Sequence, residues 1–150
     1  MTWYGNDAWW LIPFEKDATR AYGSALRVGI APGVRAYTHP GLDVPGREDP
    51  VPVRVEFHAD APYELYGLRP QDYPRVIADP RGTSDHRLPS GALCLYSPYD
   101  PPGLRWTSEH GLLALLNIVR DHLFAETAAP ILGYWPAAEA PHGLPVQGAA

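Results

Sequence analysis

Apolar and polar residues alternate most regularly in VPVRVEF, residues 51–57. One face of an extended chain would carry Val53, Val55 and Phe57, and the other would carry Arg54, Glu56 and His58. Because side chains of a strand point alternately to its two faces, this pattern predicts a half-buried strand.

Further β-prone runs lie on both sides of this strand. Residues 25–30 and 34–39 flank Ala31-Pro32-Gly33, a turn signal that predicts a hairpin. Residues 39–50 form a loop by composition, and residues 63–68 and 74–79 are predicted to continue the meander as two more strands. The sequence therefore predicts an antiparallel sheet built from consecutive strands.

One long helix is predicted after the strands, over residues 107–126. Its apolar residues recur at helical spacing and share one face: Leu112, Leu115, Leu116, Val119 and Leu123. Thr107 or Ser108 is expected to cap its first turn, and Pro130 is expected to stop it near residue 127. In the aromatic N-terminal segment, Pro13 is expected to interrupt any early helix, which leaves two or three turns before Gly23.

These elements predict an α+β fold with the helix packed on one side of an antiparallel meander. At 150 residues the chain has the length of one domain, and no internal repeat is visible. The expected organisation is a single domain over residues 1–150, with an aromatic N-terminal segment (1–24) and a C-terminal tail (128–150).

Composition excludes several classes of function. The net charge is −5 and no run of Lys or Arg occurs, so neither nucleic acid nor an anionic membrane surface is an expected partner. No apolar stretch approaches the roughly 18 residues that span a bilayer, and the N-terminus lacks a signal-peptide pattern. One cysteine cannot form an internal disulfide, which favours a cytoplasmic location. The six histidines lack metal-ligand spacing, so neither a metal nor a cofactor is expected.

Cys94 lies in GALCLYSPYDPPGLRW, residues 91–106, between the predicted strands and the helix. The chain reads DYPRVIADP, SDHRLPSGALCL, RW and TSEHGLLALLNIV in that order. This series resembles the ubiquitin-conjugating enzymes over residues 51–125. In that family a YP strand is followed by an HPN motif, a glycine three residues before a catalytic cysteine, a tryptophan and a helix. The resemblance implies that family's fold.

Further features are similar to the bacterial branch of the family, which occurs in anti-phage operons. These are ALCLYSP, Trp106 and GYWPAAEAPH near the end. The chain is too short to carry an activating domain and has no nucleotide-binding glycine loop, so the resemblance implies the stand-alone form. It also implies a cGAS-like nucleotidyltransferase, or a ubiquitin-like protein, as partner, with a separate activating enzyme where one is needed.

The resemblance assigns the chemistry to Cys94, whose thiolate would carry an acyl group as a thioester. The alternative is a buried core thiol between Leu93 and Leu95, since cysteine is among the most buried residue types. The SPYDPPG segment after Cys94 favours partial exposure. His86 stands eight residues before Cys94, where the family has asparagine. It is a candidate oxyanion donor, an amine base or a structural brace.

Other residues near the cysteine have supporting roles. Trp106 is expected to hold the loop rigid. His110 is expected on the surface, and Asp100 either orients an acceptor amine or forms a turn. The aromatic N-terminus offers a partner surface or packs on the sheet. In the tail, Trp135, Pro136 and His142 are expected to pack near the site or onto a partner.

Three functions compete at this point. The first is a transferase for a ubiquitin-like acyl group, with a thioester on Cys94. The second is a non-catalytic binding module of the same fold, against which the retention of Cys94 argues. The third is a cysteine hydrolase with a histidine base, for which no third, orienting residue is evident.

Overall fold

Four strands form one antiparallel sheet in the computed structural model, which describes residues 3–80 and 82–136. The strands are β1 (Arg27–Ala31), β2 (Val34–Leu42), β3 (Val51–His58) and β4 (Arg75–Ala78). They lie side by side in chain order, and each neighbouring pair is antiparallel. The predicted α+β class and the antiparallel order of strands are confirmed.

Two α-helices pack together and cover the sheet: α1 (Ala8–Tyr22) precedes the strands and α2 (Gly111–Leu132) follows them. All five apolar residues predicted for the buried face of α2 are at most 1% exposed. They share one core with the inward side of β3 (Val53, Val55 and Phe57) and with Phe14 and Ala18 of α1. Neither helix in the described part of the chain is long and apolar enough to cross a membrane.

The prediction that Pro13 interrupts the first helix is wrong, because α1 runs through it. Pro13 cannot donate a hydrogen bond to the carbonyl of Trp9, but Trp9 is 90% exposed, so water can satisfy that carbonyl. The inward face of α1 is stabilised by packing, since the ring of Trp10 stacks on that of Phe14 with centroids 4.2 Å apart. Gly23 does end the helix, as predicted.

Pro130 likewise fails to stop α2 near residue 127, since the helix continues to Leu132. Only two residues follow the proline, and Gly133 then closes the helix in the left-handed conformation, with its N–H donated to the carbonyl of Ala129 at 2.8 Å. The predicted tail (128–150) therefore begins inside a helix, and residues 137–150 lie outside the described residues.

Two loop assignments also change. β2 extends into the predicted loop 39–50 as far as Leu42, with an irregular register between His39 and Leu42. Residues 63–68 form turns instead of a strand, because Tyr66 and Gly67 adopt positive φ angles of 53° and 84°. Positive φ is incompatible with an extended strand, so this segment packs on the core as a loop.

The outer face of β3 is less exposed than its alternation predicts. Arg54 is exposed, but Glu56 and His58 are each 8% exposed. Glu56 accepts hydrogen bonds from Arg54 at 2.8 Å and from Arg75 at 2.8 Å and 3.0 Å. Burial alone would raise the pKa of Glu56, but these bonds outweigh it and lower the pKa to about 2. Charged partners therefore make burial of this face tolerable.

Candidate functional site

Cys94 lies on a short hairpin arm formed by residues 86–94. Arg87 pairs with Leu93 as an isolated antiparallel bridge, and the N–H of Cys94 donates to the carbonyl of His86 at 2.9 Å. This register places His86 directly opposite Cys94. The eight-residue spacing seen in the sequence thus becomes a cross-strand pair.

The hairpin arm extends the sheet edge at β4. The N–H of Leu93 donates to the carbonyl of Val76 at 2.9 Å, and the guanidinium of Arg87 donates to the carbonyl of Ala78 at 3.1 Å. These bonds hold Cys94 between the last strand and the segment that leads to α2.

The expectation that Cys94 is partly exposed is wrong: its residue is 4% exposed. Burial raises the pKa of the Cys94 thiol to about 11. The resting site therefore holds almost entirely the neutral thiol at pH 7.

We expect alkylation of Cys94 by iodoacetamide to accelerate about tenfold per pH unit from pH 7 to pH 10, because only the thiolate reacts. In guanidinium chloride, where the thiol is exposed, the alkylation rate should instead level off just above pH 8.5, the ordinary pKa of an unburied cysteine. The rate is measured by intact mass, which reports one site because the chain has one cysteine. A plateau near pH 8.5 in the native protein would contradict the raised pKa.

His86 is 8% exposed, and its ring lies against that of Trp135 with centroids 3.9 Å apart. The ring of His122 on α2 is 6.3 Å away. The main-chain carbonyl of His86 accepts the N–H of Cys94. The backbone at His86 therefore braces the cysteine, whichever role its imidazole has. Trp135 thus packs against the candidate site, Pro136 is half-buried, and His142 lies outside the described residues.

Trp106 anchors the loop that follows Cys94. It is 3% exposed, and its indole N–H donates to the carbonyl of Gly111 at 2.9 Å, at the start of α2. Its ring lies 6.2 Å from Tyr96 and 6.5 Å from Phe57. The loop is therefore pinned to the core at the point where it joins the helix.

Asp100 lies in a turn, since its N–H donates to the carbonyl of Ser97 at 3.2 Å and its own carbonyl accepts from Arg105. His110 is exposed, as predicted. Its ring nitrogen accepts the N–H of Thr107 at 2.9 Å in a short 3-10 turn before α2. The N–H of Ser108 is bound by the carboxylate of Asp72 at 2.9 Å, a partner 36 residues away that the local sequence did not indicate.

A buried ion pair joins the hairpin arm to α2. The Arg87 guanidinium donates to both carboxylate oxygens of Glu126, at 2.9 Å and 2.6 Å, and the Ser84 hydroxyl donates at 2.7 Å. His122 Nε2 lies 3.8 Å from the same carboxylate. Sequence reasoning missed this cluster. A usable signal was present: Glu126 falls three residues after Leu123 on the apolar face of α2, where a charged side chain needs an opposite charge packed against it.

Within residues 3–80 and 82–136, no group of three or more His, Cys, Asp or Glu side chains is arranged to hold a metal ion. Comparison of the chain with protein-family models, with curated proteins and with solved structures gives no match.

Proposed function

We propose that this chain is a ubiquitin-conjugating-like transferase that carries an acyl C-terminus as a thioester on Cys94 and passes it to an amine. The observation that carries the proposal is the hydrogen-bonded pairing of Cys94 with His86 on an arm between β4 and α2. The order of elements supports it: a four-stranded meander, the cysteine-bearing arm and a helix follow one another in the order that the resemblance implies.

The chemistry requires an acyl donor that arrives already activated, as an acyl-adenylate or a thioester. Cys94 Sγ attacks the carbonyl carbon, the leaving group departs with the bonding pair, and the thiol proton passes to solvent. An amine then attacks the thioester carbonyl, the C–S bond breaks, an amide forms, and the amine proton leaves as the thiol is restored. A histidine paired with the cysteine across the arm would act in the second step as a donor or base.

The donor and target that we propose are a cGAS-like nucleotidyltransferase in cytoplasmic bacterial anti-phage defence. A donor tail held beside Cys94 by a docking contact reaches an effective concentration in the millimolar range, which offsets the low thiolate fraction. A ubiquitin-like protein is the alternative donor, and a separate activating enzyme would supply either one.

Affinity purification of the full chain from its native host tests the proposal. Wild-type protein should recover an adduct that reductant releases, and Cys94→Ser should recover a reductant-resistant ester with the same partner. A nucleotidyltransferase in both samples supports the proposed partner, whereas a ubiquitin-like protein supports only the transferase chemistry. A partner without any covalent adduct contradicts the transferase.

The burial of Cys94 favours a second candidate, the non-catalytic binding module. A thiol that is 4% exposed, with a pKa of about 11, has the features of a structural cysteine. In that case partner recovery should be the same for wild-type protein and Cys94→Ala, with no adduct in either. A hydrolase would instead release its acyl group to water and leave no amide product.

We expect His86→Ala to slow discharge of the Cys94 thioester more than its formation. Removal of one oxyanion donor costs on the order of 10²–10³ in rate, and that donor acts when the amine attacks. Single-turnover discharge to a free amine measures the effect. Trp135→Ala is the matched control, because it removes the ring that packs on His86 but leaves the imidazole in place. Discharge at the wild-type rate in His86→Ala would remove the imidazole from the mechanism.

A further inference from the structure

A pocket of about 170 Å³ opens beside the hairpin arm, on the side of the loop between β3 and β4. Aromatic and apolar side chains from three segments line it. The loop between β3 and β4 contributes Tyr63, Tyr66 and Tyr73, and the hairpin arm and its continuation contribute Leu88, Leu93 and Leu95. It is separate from the cluster around Glu126, which lies where the arm meets α2.

Most of the polar groups around this pocket are already bound within the protein. The hydroxyl of Tyr63 donates to the carbonyl of Tyr73 at 2.7 Å, and the hydroxyl of Tyr96 donates to the carbonyl of Asp72 at 2.7 Å. The guanidinium of Arg75 is paired with Glu56 at 2.8 Å. The pocket therefore presents ring faces and aliphatic surface, which suit an uncharged apolar group.

The pocket adjoins the thiol. Both chain neighbours of Cys94, Leu93 and Leu95, line it. Tyr73 lines it as well and lies close enough to Cys94 for a thiolate to raise the pKa of the phenol. An extended chain advances about 3.3 Å per residue, so two residues of a bound chain would span the distance from a carbonyl on Cys94 past the side chain of either neighbour.

The backbone of Tyr66 adds an independent observation. Its φ of 53° is unusual for a bulky residue. In this conformation its ring meets Tyr73 at 6.0 Å and Tyr99 at 5.9 Å. Unfavourable backbone conformations of this kind concentrate at ligand clamps, where the surrounding structure holds them.

We infer that this pocket binds a bulky apolar side chain, of the size of leucine or phenylalanine, within two residues of the acyl donor's reacting C-terminal carbonyl. The inference rests on the proposed function for the identity of the donor. Burial of such a side chain corresponds to roughly a 10- to 100-fold gain in affinity. The pocket would then select donors by their last few residues.

The test uses the full chain and two alkylating reagents, N-methyl-iodoacetamide and N-(2-phenylethyl)-iodoacetamide. In each reaction a Cys94 Sγ–C bond forms, iodide leaves and the thiol proton passes to solvent. After correction for their rates with N-acetylcysteine, we expect the phenylethyl reagent to react at least tenfold faster, with a rate that saturates with concentration. Equal corrected rates without saturation would overturn the inference.

Variants locate the effect. Ser90 is exposed and lines the pocket, so Ser90→Trp should reduce the preference to below threefold and leave the methyl reagent unchanged. Leu88→Phe, a smaller change at a half-buried lining position, should reduce it in part. Ser24→Trp, at an exposed site outside the pocket, is the matched control and should keep the full preference. A preference retained in both pocket variants would also overturn the inference.

The outcome is distinguishable from that of the transferase proposal. The reagents report whether the pocket accepts an apolar group beside Cys94, whatever reaction the protein performs. A preference of Cys94 for the phenylethyl reagent, with no thioester in the purification experiment, would support the apolar pocket and contradict the transferase. A thioester without a preference would do the reverse.

Discussion

Replacement of Cys94 with alanine is expected to eliminate every reductant-sensitive adduct while the fold remains intact. No other thiol in the chain can replace it, since Cys94 is the only cysteine. The side chain is buried, so loss of its sulfur should cost about 1 kcal/mol of stability, which corresponds to a fall in Tm of about 2–4 °C. Non-reducing gels and thermal denaturation measure the two effects.

Ser97→Ala is the matched control for this substitution. Ser97 is 1% exposed and lies three residues after Cys94, so its truncation disturbs the same region of the core. It should reduce stability by a similar amount and retain the adduct. Persistence of a reductant-sensitive adduct in Cys94→Ala would show that the acyl group is carried elsewhere.

The sheet and α2 could be predicted because their patterns are local. The alternation around β3 and the apolar face of α2 each lie within about 20 consecutive residues, and they predicted the strand, its inward face and the buried face of α2 correctly. They did not predict that Glu56 and His58, on the other face of β3, are buried. The strand predicted over residues 63–68 was wrong because its conformation is not set by local pattern. Their composition favours a strand, but Tyr66 and Gly67 adopt positive φ and the ring of Tyr66 packs against Tyr73, a contact that the local composition does not indicate.

The candidate site was only partly predictable. The sequence marked Cys94, His86 and Trp106, and the structure places the first two opposite each other and the third beneath the loop. The sequence favoured partial exposure of the thiol over the buried alternative, whereas the structure buries it on an arm whose N–H groups at Leu93 and Cys94 bind the carbonyls of Val76 and His86. The pattern of apolar and polar residues near Cys94 does not indicate which distant carbonyl accepts a given N–H.

Glu126 and Asp72 illustrate the same limit. Their partners Arg87 and Ser108 lie 39 and 36 residues away, so neither pair follows from spacing along the chain. Both residues are charged and buried, and buried charges require partners. A charged residue on the apolar face of a predicted helix is therefore a usable signal that an opposite charge packs against that face.

The ion pair between Arg87 and Glu126 is expected to be the most sensitive point of the fold. Their side chains are 8% and 2% exposed, and loss of one partner leaves a buried charge without compensation. Glu126→Gln should therefore cost about 3–5 kcal/mol, a fall in Tm of about 10 °C. Gly82→Ala should act in the same direction, because a Cβ there would collide with Arg87 Nη2 and Glu126 Oε1.

A paired replacement separates charge from packing. Arg87→Met with Glu126→Leu removes both charges at similar volume, and such replacements of buried pairs are often neutral or stabilising. The double variant should be more stable than Glu126→Gln by at least 2 kcal/mol in urea unfolding. A double variant as unstable as Glu126→Gln would show that shape alone, and not the uncompensated charge, accounts for the loss.

The pH dependence gives an independent measure of the same pair. Burial alone would raise the pKa of Glu126, but hydrogen bonds from Arg87 and Ser84, together with the nearby ring of His122, outweigh it and hold the pKa well below its usual range. The unfolded chain then binds a proton at a higher pH than the native protein does, so this contribution to stability is present above about pH 4.3 and is lost below it. The stability advantage of wild type over Glu126→Gln should shrink by about 1.1 kcal/mol between pH 4 and pH 3, as the unfolded carboxyl completes its protonation. Urea unfolding at pH 6, 4 and 3 measures this, and an advantage that stays constant over that range would contradict an ionised Glu126 as the centre of the cluster.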